Sequence, residues 1–275
     1  MVTWREGKMV AGRINAIAFG VALVAAGWFG RQLIPTRPAV RTEGVGCASF
    51  DNGRRPVVVI PDYLVTNGVV SADRSMTEAL RDAGFVPVVL PEMDRTSVRE
   101  ILLHCDAVMI GGGAKEQDYV RRCAFEDTVI SLAAERNLPI VGVCHGAQVI
   151  NTFFEGGTLS KTPQAAKRSK EPLIYHRMPT SRPYVDNFHL IDLEPGSRIA
   201  RALGSNRAVV NSSHSVRTLK PGIGLKVTAR APDGVIEALE HEDLPVMAFQ
   251  FHPERMTYDA RFIELLRIAL SPIAP

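Results

Sequence analysis

The chain has 275 residues, of which 46% are hydrophobic and 22% are charged, and this composition excludes a disordered or collagen-like protein. The formal net charge of +3 is too small, and the basic residues are too scattered, to indicate a nucleic-acid partner. The four cysteines are too few and too widely spaced for a disulfide framework and contain no C-x-x-C pair, so the sequence predicts neither a metal nor a cofactor.

The first predicted element is the uncharged stretch Ile14–Gly30, which follows Arg5, Lys8 and Arg13. A basic segment before an apolar run is typical of a signal peptide or membrane anchor, and a buried core helix is the alternative. We expect residues 1–34 to form an uncleaved anchor and residues 35–55, rich in proline, glycine and arginine, to form a linker. The anchor implies a membrane-bound or exported protein, with the folded domain outside the cytoplasm as the first hypothesis and the cytoplasmic face left open.

From residue 56 onward, short apolar runs alternate with amphipathic stretches, which is typical of a parallel sheet covered by helices. The predicted strands are Val57–Ile60, Val86–Leu90, Ala107–Ile110 and Pro139–Val143. The predicted helices are one capped by Ser71 that ends at Ala83 before Gly84, then Ser97–Leu103 and Tyr119–Arg136.

After about Leu159 the pattern indicates mostly strands, followed by one closing helix. The strands are predicted at Arg201–Leu203, Val209–Val210, Leu225–Ala229, Val235–Leu239 and Val246–Phe251, and the helix at Arg261–Leu270. Residues 56–275 are therefore predicted to form one α/β domain. We expect a three-layer, flavodoxin-like sandwich with a mostly parallel central sheet and helices on both of its faces.

The junction after the fourth strand reads Gly-Val-Cys-His-Gly at residues 142–146, which places Cys144 between two glycines where a strand meets a helix. This is the pattern of a nucleophile elbow, in which sulfur takes the place of oxygen. The first amides of the helix can stabilise a thiolate or an oxyanion, so the backbone N–H of His145 is a candidate donor. A second donor is expected from Gly112 or Gly113, which follow a neighbouring strand on the same sheet edge.

A thiol nucleophile needs a base, and the sequence Gln-Phe-His-Pro-Glu at residues 250–254 supplies one at the end of the last predicted strand. His252 is the candidate base, and Glu254 is placed to orient its imidazole and stabilise the charged form. A lone cysteine or a lone His-Pro is weak evidence. The combination of the elbow, the upstream glycines and the strand-ending His-Pro-Glu predicts covalent acyl transfer.

These motifs resemble those of the class I glutamine amidotransferases, and within them the γ-glutamyl-γ-aminobutyrate hydrolase-like branch. The resemblance covers about Arg55–Leu270 and extends to residues 76–91, 156–159, 193–197, 210–214 and 231–238. It implies a triad of Cys144, His252 and Glu254, in agreement with the interpretation from the residues themselves.

The resemblance also implies that Gln148 lines the glutamyl site and that His214 lies in the substrate pocket. Three motifs depart from the branch. It usually carries Arg where this chain has His145 and His-His-Gln where this chain has residues 214–216, and the loop at residues 114–118 lacks the branch's usual Asp and Pro. Because all three departures fall where substrate would be recognised, the resemblance leaves the amine part of the substrate open.

The length of the domain favours a hydrolase, because about 215 residues leave no room for a synthase domain beside it. The predicted reaction is attack by Cys144 on a γ-glutamyl amide of a small molecule, followed by hydrolysis of the thioester. One alternative is a PfpI-like hydrolase in which His145 is the partner of Cys144. Another is a catalytically retired, membrane-tethered binding domain. The oligomeric state is open.

The remaining cysteines and histidines receive simpler interpretations. Cys105 and Cys123 flank the glycine loop and could pair in an oxidising compartment. His104, His189 and His241 lack the spacing of metal ligands, so we expect solvated or core positions for them.

Overall fold

The structure is a computed structural model that describes residues 54–61, 64–66, 69–113, 119–157, 160–161, 174–177 and 187–272. The predicted anchor and nearly all of the predicted linker lie outside these residues, so both stay predictions of the sequence. Among the described helices, none has the length and apolar character needed to cross a bilayer.

The first half of the domain alternates strands and helices as the sequence predicts. Its elements are β1 (Val57–Pro61), β2 (Leu64–Thr66), β3 (Val69–Ser71), α1 (Arg74–Asp82), β4 (Val86–Leu90), α2 (Arg95–Leu102), β5 (Ala107–Ile110), α3 (Tyr119–Glu135), β6 (Ile140–Val143) and α4 (His145–Phe153).

The second half is richer in strands. Its elements are β7 (Ser160–Lys161), β8 (Asn187–Leu193), α5 (Arg198–Leu203), β9 (Arg207–Ser212), β10 (Val216–Arg217), β11 (Leu225–Arg230), β12 (Ile236–His241), β13 (Val246–Phe249), a 3-10 turn at Pro253–Arg255 and α6 (Ala260–Ala269).

Nine of these strands form one sheet in the order β4-β1-β5-β6-β13-β12-β11-β8-β9. The strands from β4 to β13 pair in parallel, and those from β13 to β9 pair in antiparallel fashion. The last parallel strand, β13, lies beside β6 although about 100 residues separate the two strands in the sequence. The carboxyl ends of β5, β6 and β13 therefore meet at one edge.

The sheet has a hydrophobic layer on each face, because its parallel strands are buried on both sides. Strand β1 contributes Val58 and Ile60 to one layer and Val59 to the other. Helices α1, α5 and α6 cover the first layer, and α2, α3 and α4 cover the second. This arrangement confirms the predicted three-layer α/β fold.

Three local predictions are wrong. The segment predicted as a strand at Arg201–Leu203 is the end of α5, which Ser197 caps through the Ala200 amide and which ends at Gly204 with φ 62°. Helix α1 is capped by Asp73, which accepts from the Ser75 amide, whereas Ser71 belongs to β3. Strand β8 was not predicted, because its alternation includes polar side chains that are themselves buried, such as His189.

Helix α5 is fixed to the sheet by a carboxylate on β12. Glu240 accepts hydrogen bonds from the backbone amides of Arg198 and Ile199, both at 3.0 Å, and from the Arg198 guanidinium at 3.3 Å. Both charged side chains are nearly buried. Glu240 therefore satisfies the first amides of the helix and neutralises the Arg198 guanidinium.

We expect Glu240→Ala to lower the free energy of unfolding by about 3 kcal/mol, because it leaves a buried guanidinium and two amides without their acceptor. Urea denaturation followed by circular dichroism measures the change. The control is Glu242→Ala, which removes an exposed pair with Lys226 and should cost at most about 1 kcal/mol. Equal losses in the two variants would contradict this account of α5.

Candidate active site

Cys144 lies between β6 and α4, with φ 52° and ψ −100°. Residues other than glycine rarely adopt this backbone conformation. Such a conformation costs about 1 to 3 kcal/mol and persists only where its surroundings impose it. Here the Cys144 amide donates to the Phe249 carbonyl on β13 at 2.7 Å, and the Cys144 carbonyl accepts from the Gln148 amide at 3.3 Å. The neighbouring strand and the new helix therefore hold the cysteine in place.

The two glycines around Cys144 allow the helix to begin directly above the sheet. A Cβ on Gly146 would lie 2.2 Å from the Ile110 carbonyl oxygen, and a Cβ on Gly142 would lie 2.5 Å from the Gly146 carbonyl oxygen. The Gly146 amide donates to the Gly111 carbonyl at 3.1 Å, which ties α4 to the end of β5. This is the close approach that the sequence predicts for a nucleophile elbow.

His252 and Glu254 form a buried pair in the turn that follows β13. The Nδ1 atom of His252 lies 2.7 Å from Oε1 of Glu254, and both side chains are almost fully buried. Burial opposes the charged imidazolium, but the Glu254 carboxylate and a hydrogen bond to Cys144 raise the pKa of His252 to about 10. Because Nδ1 faces Glu254, Nε2 is the nitrogen left to interact with the sulfur.

Asn211, at the end of β9, holds the backbone of His252. Its Oδ1 accepts from the His252 amide at 2.9 Å, and its Nδ2 donates to the His252 carbonyl at 3.0 Å. The sequence analysis quotes the motif that contains Asn211 but assigns the residue no role. A buried asparagine in a strand was the available signal, because it must find partners for both ends of its amide.

The backbone after β5 lies over the cysteine and the imidazole. A Cβ on Gly112 would come within 3.0 Å of His252 Cε1 and 3.6 Å of Cys144 Cβ. The Gly112 carbonyl accepts from the Arg122 guanidinium on α3 at 3.3 Å. Since the peptide is planar and trans, the Gly113 N–H points away from α3. Gly113 lines the adjoining cavity.

A cavity of about 420 Å³ lies in front of Cys144. Its wall includes six residues singled out by the sequence or by the resemblance: Gly113, Cys144, His145, Gln148, His214 and His252. Glu254 is not part of this wall, but it contacts two residues that are, His252 at 2.7 Å and Arg255 at 3.7 Å. The wall also contains residues that the sequence analysis did not identify: Tyr119, Arg177, Ser213, Ser215, Val216 and Arg255.

Gln148 and His214 are both anchored to the short strand β10. Gln148 Nε2 donates to the Val216 carbonyl at 3.3 Å, and His214 Nδ1 lies 3.1 Å from the same oxygen. Arg177 lies at the rim and donates to the Ser215 hydroxyl at 3.4 Å. The structure therefore brings two basic side chains, Arg177 and Arg255, to one small polar cavity.

The His145 imidazole is held by α3. Its Nε2 lies 2.8 Å from Oε2 of Glu126, and Glu126 also pairs with the Arg122 guanidinium at 2.9 Å. Tyr119 packs edge-on against the same ring, with 5.4 Å between the ring centroids. The side chain of His145 thus has its own partners on α3, while its amide opens α4.

The other described cysteines, Cys105 and Cys123, are free thiols, so the suggested pairing between them is absent from the described residues. Burial, reinforced by Asp106, raises the pKa of the Cys105 thiol to about 11, which makes it a poor nucleophile at neutral pH. His104 is exposed, as expected. His189 is not solvated, and its surroundings are described below.

A protein-family model described as Peptidase C26 matches residues 64–254. The chain is 30% identical over 207 residues to a protein of Lactococcus lactis named as a glutamine amidotransferase-like protein, YvdE, with 68% of this chain and 82% of that protein covered. It is 25% identical over 220 residues to the γ-glutamyl-γ-aminobutyrate hydrolase PuuD of Escherichia coli, with 72% and 84% covered.

Among solved structures, the fold is similar to that of the glutaminase domain of Trypanosoma brucei CTPS with bound acivicin. The TM-score is 0.56 at 17% sequence identity, and the alignment covers 78% of this chain and 93% of that one. At this identity the likeness shows the α/β fold.

We expect Gly146→Ala to lower the free energy of unfolding by at least about 2 kcal/mol, because the new methyl group meets a backbone oxygen that cannot move without displacing β5. The control is Gly84→Ala. Gly84 has φ 93° and open space around its Cα, so only the backbone penalty of about 1 kcal/mol applies. Urea denaturation compares the variants, and a smaller loss for Gly146→Ala than for Gly84→Ala would refute the close-approach argument.

Proposed function

Because the chain belongs to the Peptidase C26 family of class I glutamine amidotransferase-like enzymes, we propose that it hydrolyses γ-glutamyl amides through a thioester on Cys144. The family is one of hydrolases and amidotransferases. The observation that carries the proposal is the strained Cys144 beside the buried His252–Glu254 pair, at the wall of a polar cavity.

In the first half of the proposed reaction, Nε2 of His252 takes the proton of the Cys144 thiol, and the sulfur attacks the carbonyl carbon of the amide. The negative charge that forms on the carbonyl oxygen is stabilised by the backbone amides of His145 and Gly113. His252 then gives its proton to the leaving nitrogen as the C–N bond breaks. Glu254 keeps the imidazole in one tautomer and stabilises its positive charge without itself becoming protonated.

In the second half, water attacks the thioester carbon while His252 takes a proton from it. The C–S bond breaks, and the proton returns from His252 to sulfur, which regenerates the thiol and releases glutamate. The cavity, the three side chains and water are sufficient for hydrolysis, which is the reaction we propose.

The alternative partner for the sulfur is His145, which forms its own pair with a carboxylate, Glu126, at 2.8 Å. Two observations favour His252. Glu126 is shared with the Arg122 guanidinium, so it is already neutralised. The pKa of His252 is raised by Glu254 and by Cys144 beside it.

Replacing Cys144 with alanine tests whether the domain is an enzyme. We expect the turnover of γ-glutamyl amides, measured as glutamate release across a panel of amines, to fall at least about 1,000-fold because the nucleophile is lost. Cys105→Ser, which removes a buried thiol in the turn between α2 and β5, should leave turnover unchanged. A wild-type protein that turns over no member of the panel and resists alkylation at Cys144 would instead indicate a binding domain.

Separate substitutions of the two histidines identify the base. We expect His252→Asn to lower kcat/KM at least about 1,000-fold and to slow alkylation of Cys144 by iodoacetamide, since the group that takes the thiol proton is removed. His145→Asn keeps the backbone N–H and should lower kcat/KM less than about 10-fold. The reverse order of effects would assign the base to His145.

A further inference from the structure

Three histidines surround one carboxylate behind the cavity wall. Glu237 on β12 is fully buried, and its Oε1 atom lies 3.3 Å from His176 Nδ1, 3.5 Å from His189 Nε2 and 3.6 Å from His214 Nε2. The histidines are less than one-tenth exposed. They come from the segment 174–177, from β8 and from the loop after β9, so four separate parts of the chain meet at one point.

The tautomers of two of these histidines follow from their other nitrogens. His189 Nδ1 lies 3.1 Å from the Leu190 carbonyl, and His214 Nδ1 lies 3.1 Å from the Val216 carbonyl. A carbonyl only accepts, so each Nδ1 carries the hydrogen. In the neutral imidazole, each Nε2 then presents a lone pair to the Glu237 carboxylate, which is also an acceptor.

Because the atoms that face one another here are all hydrogen-bond acceptors, buried nitrogen and oxygen atoms are left without a donor. Among the described residues, no hydrogen bond satisfies His189 Nε2, His214 Nε2 or either oxygen of Glu237. Acceptors that converge in this way require a positive charge between them.

A single proton on His176 does not meet that requirement. Its Nε2 faces Asp233 Oδ2 at 3.0 Å, so a proton on that nitrogen is directed to Asp233. The hydrogen on Nδ1 has two acceptors within 3.3 Å, Glu237 Oε1 and Ser212 Oγ. Neither arrangement gives a donor to His189 or His214.

We propose that His176, His189 and Glu237, whose ligand atoms all lie within 4.8 Å of one another, bind a divalent transition metal. His214, 3.6 Å from Glu237, moves onto the ion as the fourth ligand, and Zn²⁺ is the best match to three imidazole nitrogens and one carboxylate oxygen. Ligands at about 2.0 to 2.2 Å from a tetrahedral Zn²⁺ lie about 3.4 Å from one another. The three distances from Glu237 Oε1 are close to that value.

The surroundings of the ligands are those of metal-binding histidines. In His189 and His214, the ligand nitrogen is Nε2, and the Nδ1 of the same ring donates to a backbone carbonyl. His176 is oriented by the Asp233 carboxylate. Such contacts fix the ring and the tautomer of a ligand. By contrast, the other cluster of potential ligands, Cys123, Glu126 and His145, is neutralised by Arg122 and by the contact between His145 and Glu126.

Four protein ligands close the coordination sphere, so the metal has a structural role. It would join the segment that carries Arg177 to the loop that carries Ser213 and Ser215, and these residues line the cavity. The sequence analysis predicted no metal because the ligands are spread over residues 176–237 without a short spacing. The proposal does not depend on the reaction at Cys144.

The test uses the Cys144→Ala protein, so that neither catalysis nor the active-site thiol contributes to the result. After removal of metal by a chelator, Co²⁺ is titrated and the visible spectrum is recorded. We expect one Co²⁺ per chain with the absorption bands of tetrahedral nitrogen and oxygen coordination, and we expect Zn²⁺ to displace it and to raise the melting temperature.

Variants locate the ion. Glu237→Gln and His189→Asn should each weaken Co²⁺ binding at least about 100-fold, whereas His104→Asn, which changes an exposed histidine, should not alter it. Absence of stoichiometric binding to the Cys144→Ala protein would overturn the proposal without recourse to the ligand variants. So would a thiolate-to-cobalt band, which would place the ion at Cys123, or unchanged affinity in folded Glu237→Gln.

Discussion

The contact between Gly146 and the Ile110 carbonyl is the constraint on which the active site depends. Because no side chain separates them, α4 begins directly over the carboxyl edge of β5 and β6, and the strained turn before it directs Cys144 toward that edge. The same edge receives the turn after β13 that carries His252. Cys144, His252 and the amides at the start of a helix thus meet because three parallel strands end together.

The antiparallel half of the sheet also supports the active site. Strands β12, β11 and β8 separate β13 from β9, yet Asn211 at the end of β9 makes two hydrogen bonds to the backbone of His252. This reach is possible because β8 pairs with β11 only through Asp192 and Leu193. The rest of β8 lies outside that pairing, and its His189 lies 3.5 Å from Glu237 on β12.

The sequence predicts the parallel half well, because buried parallel strands read as continuous apolar runs and the elbow and His-Pro-Glu motifs are local. It fails where contacts are distant. The six residues of α5 contain too few turns to show a helical period, and their first two amides are bonded to Glu240, some 40 residues later. The partners of Asn211 and the histidines around Glu237 are likewise brought together by antiparallel strands that are distant in the sequence.

The hydrogen bonds between Asn211 and His252 span 41 residues and close only when the antiparallel strands have reached their final order. The Cys144 amide is likewise bonded to β13, near the end of the domain. The positions of Cys144 and His252 therefore depend on distant parts of the chain as well as on their own segments. A partly folded or truncated chain can therefore contain every residue of the active site and still lack its geometry, so that reactivity at Cys144 reports on completion of the whole domain.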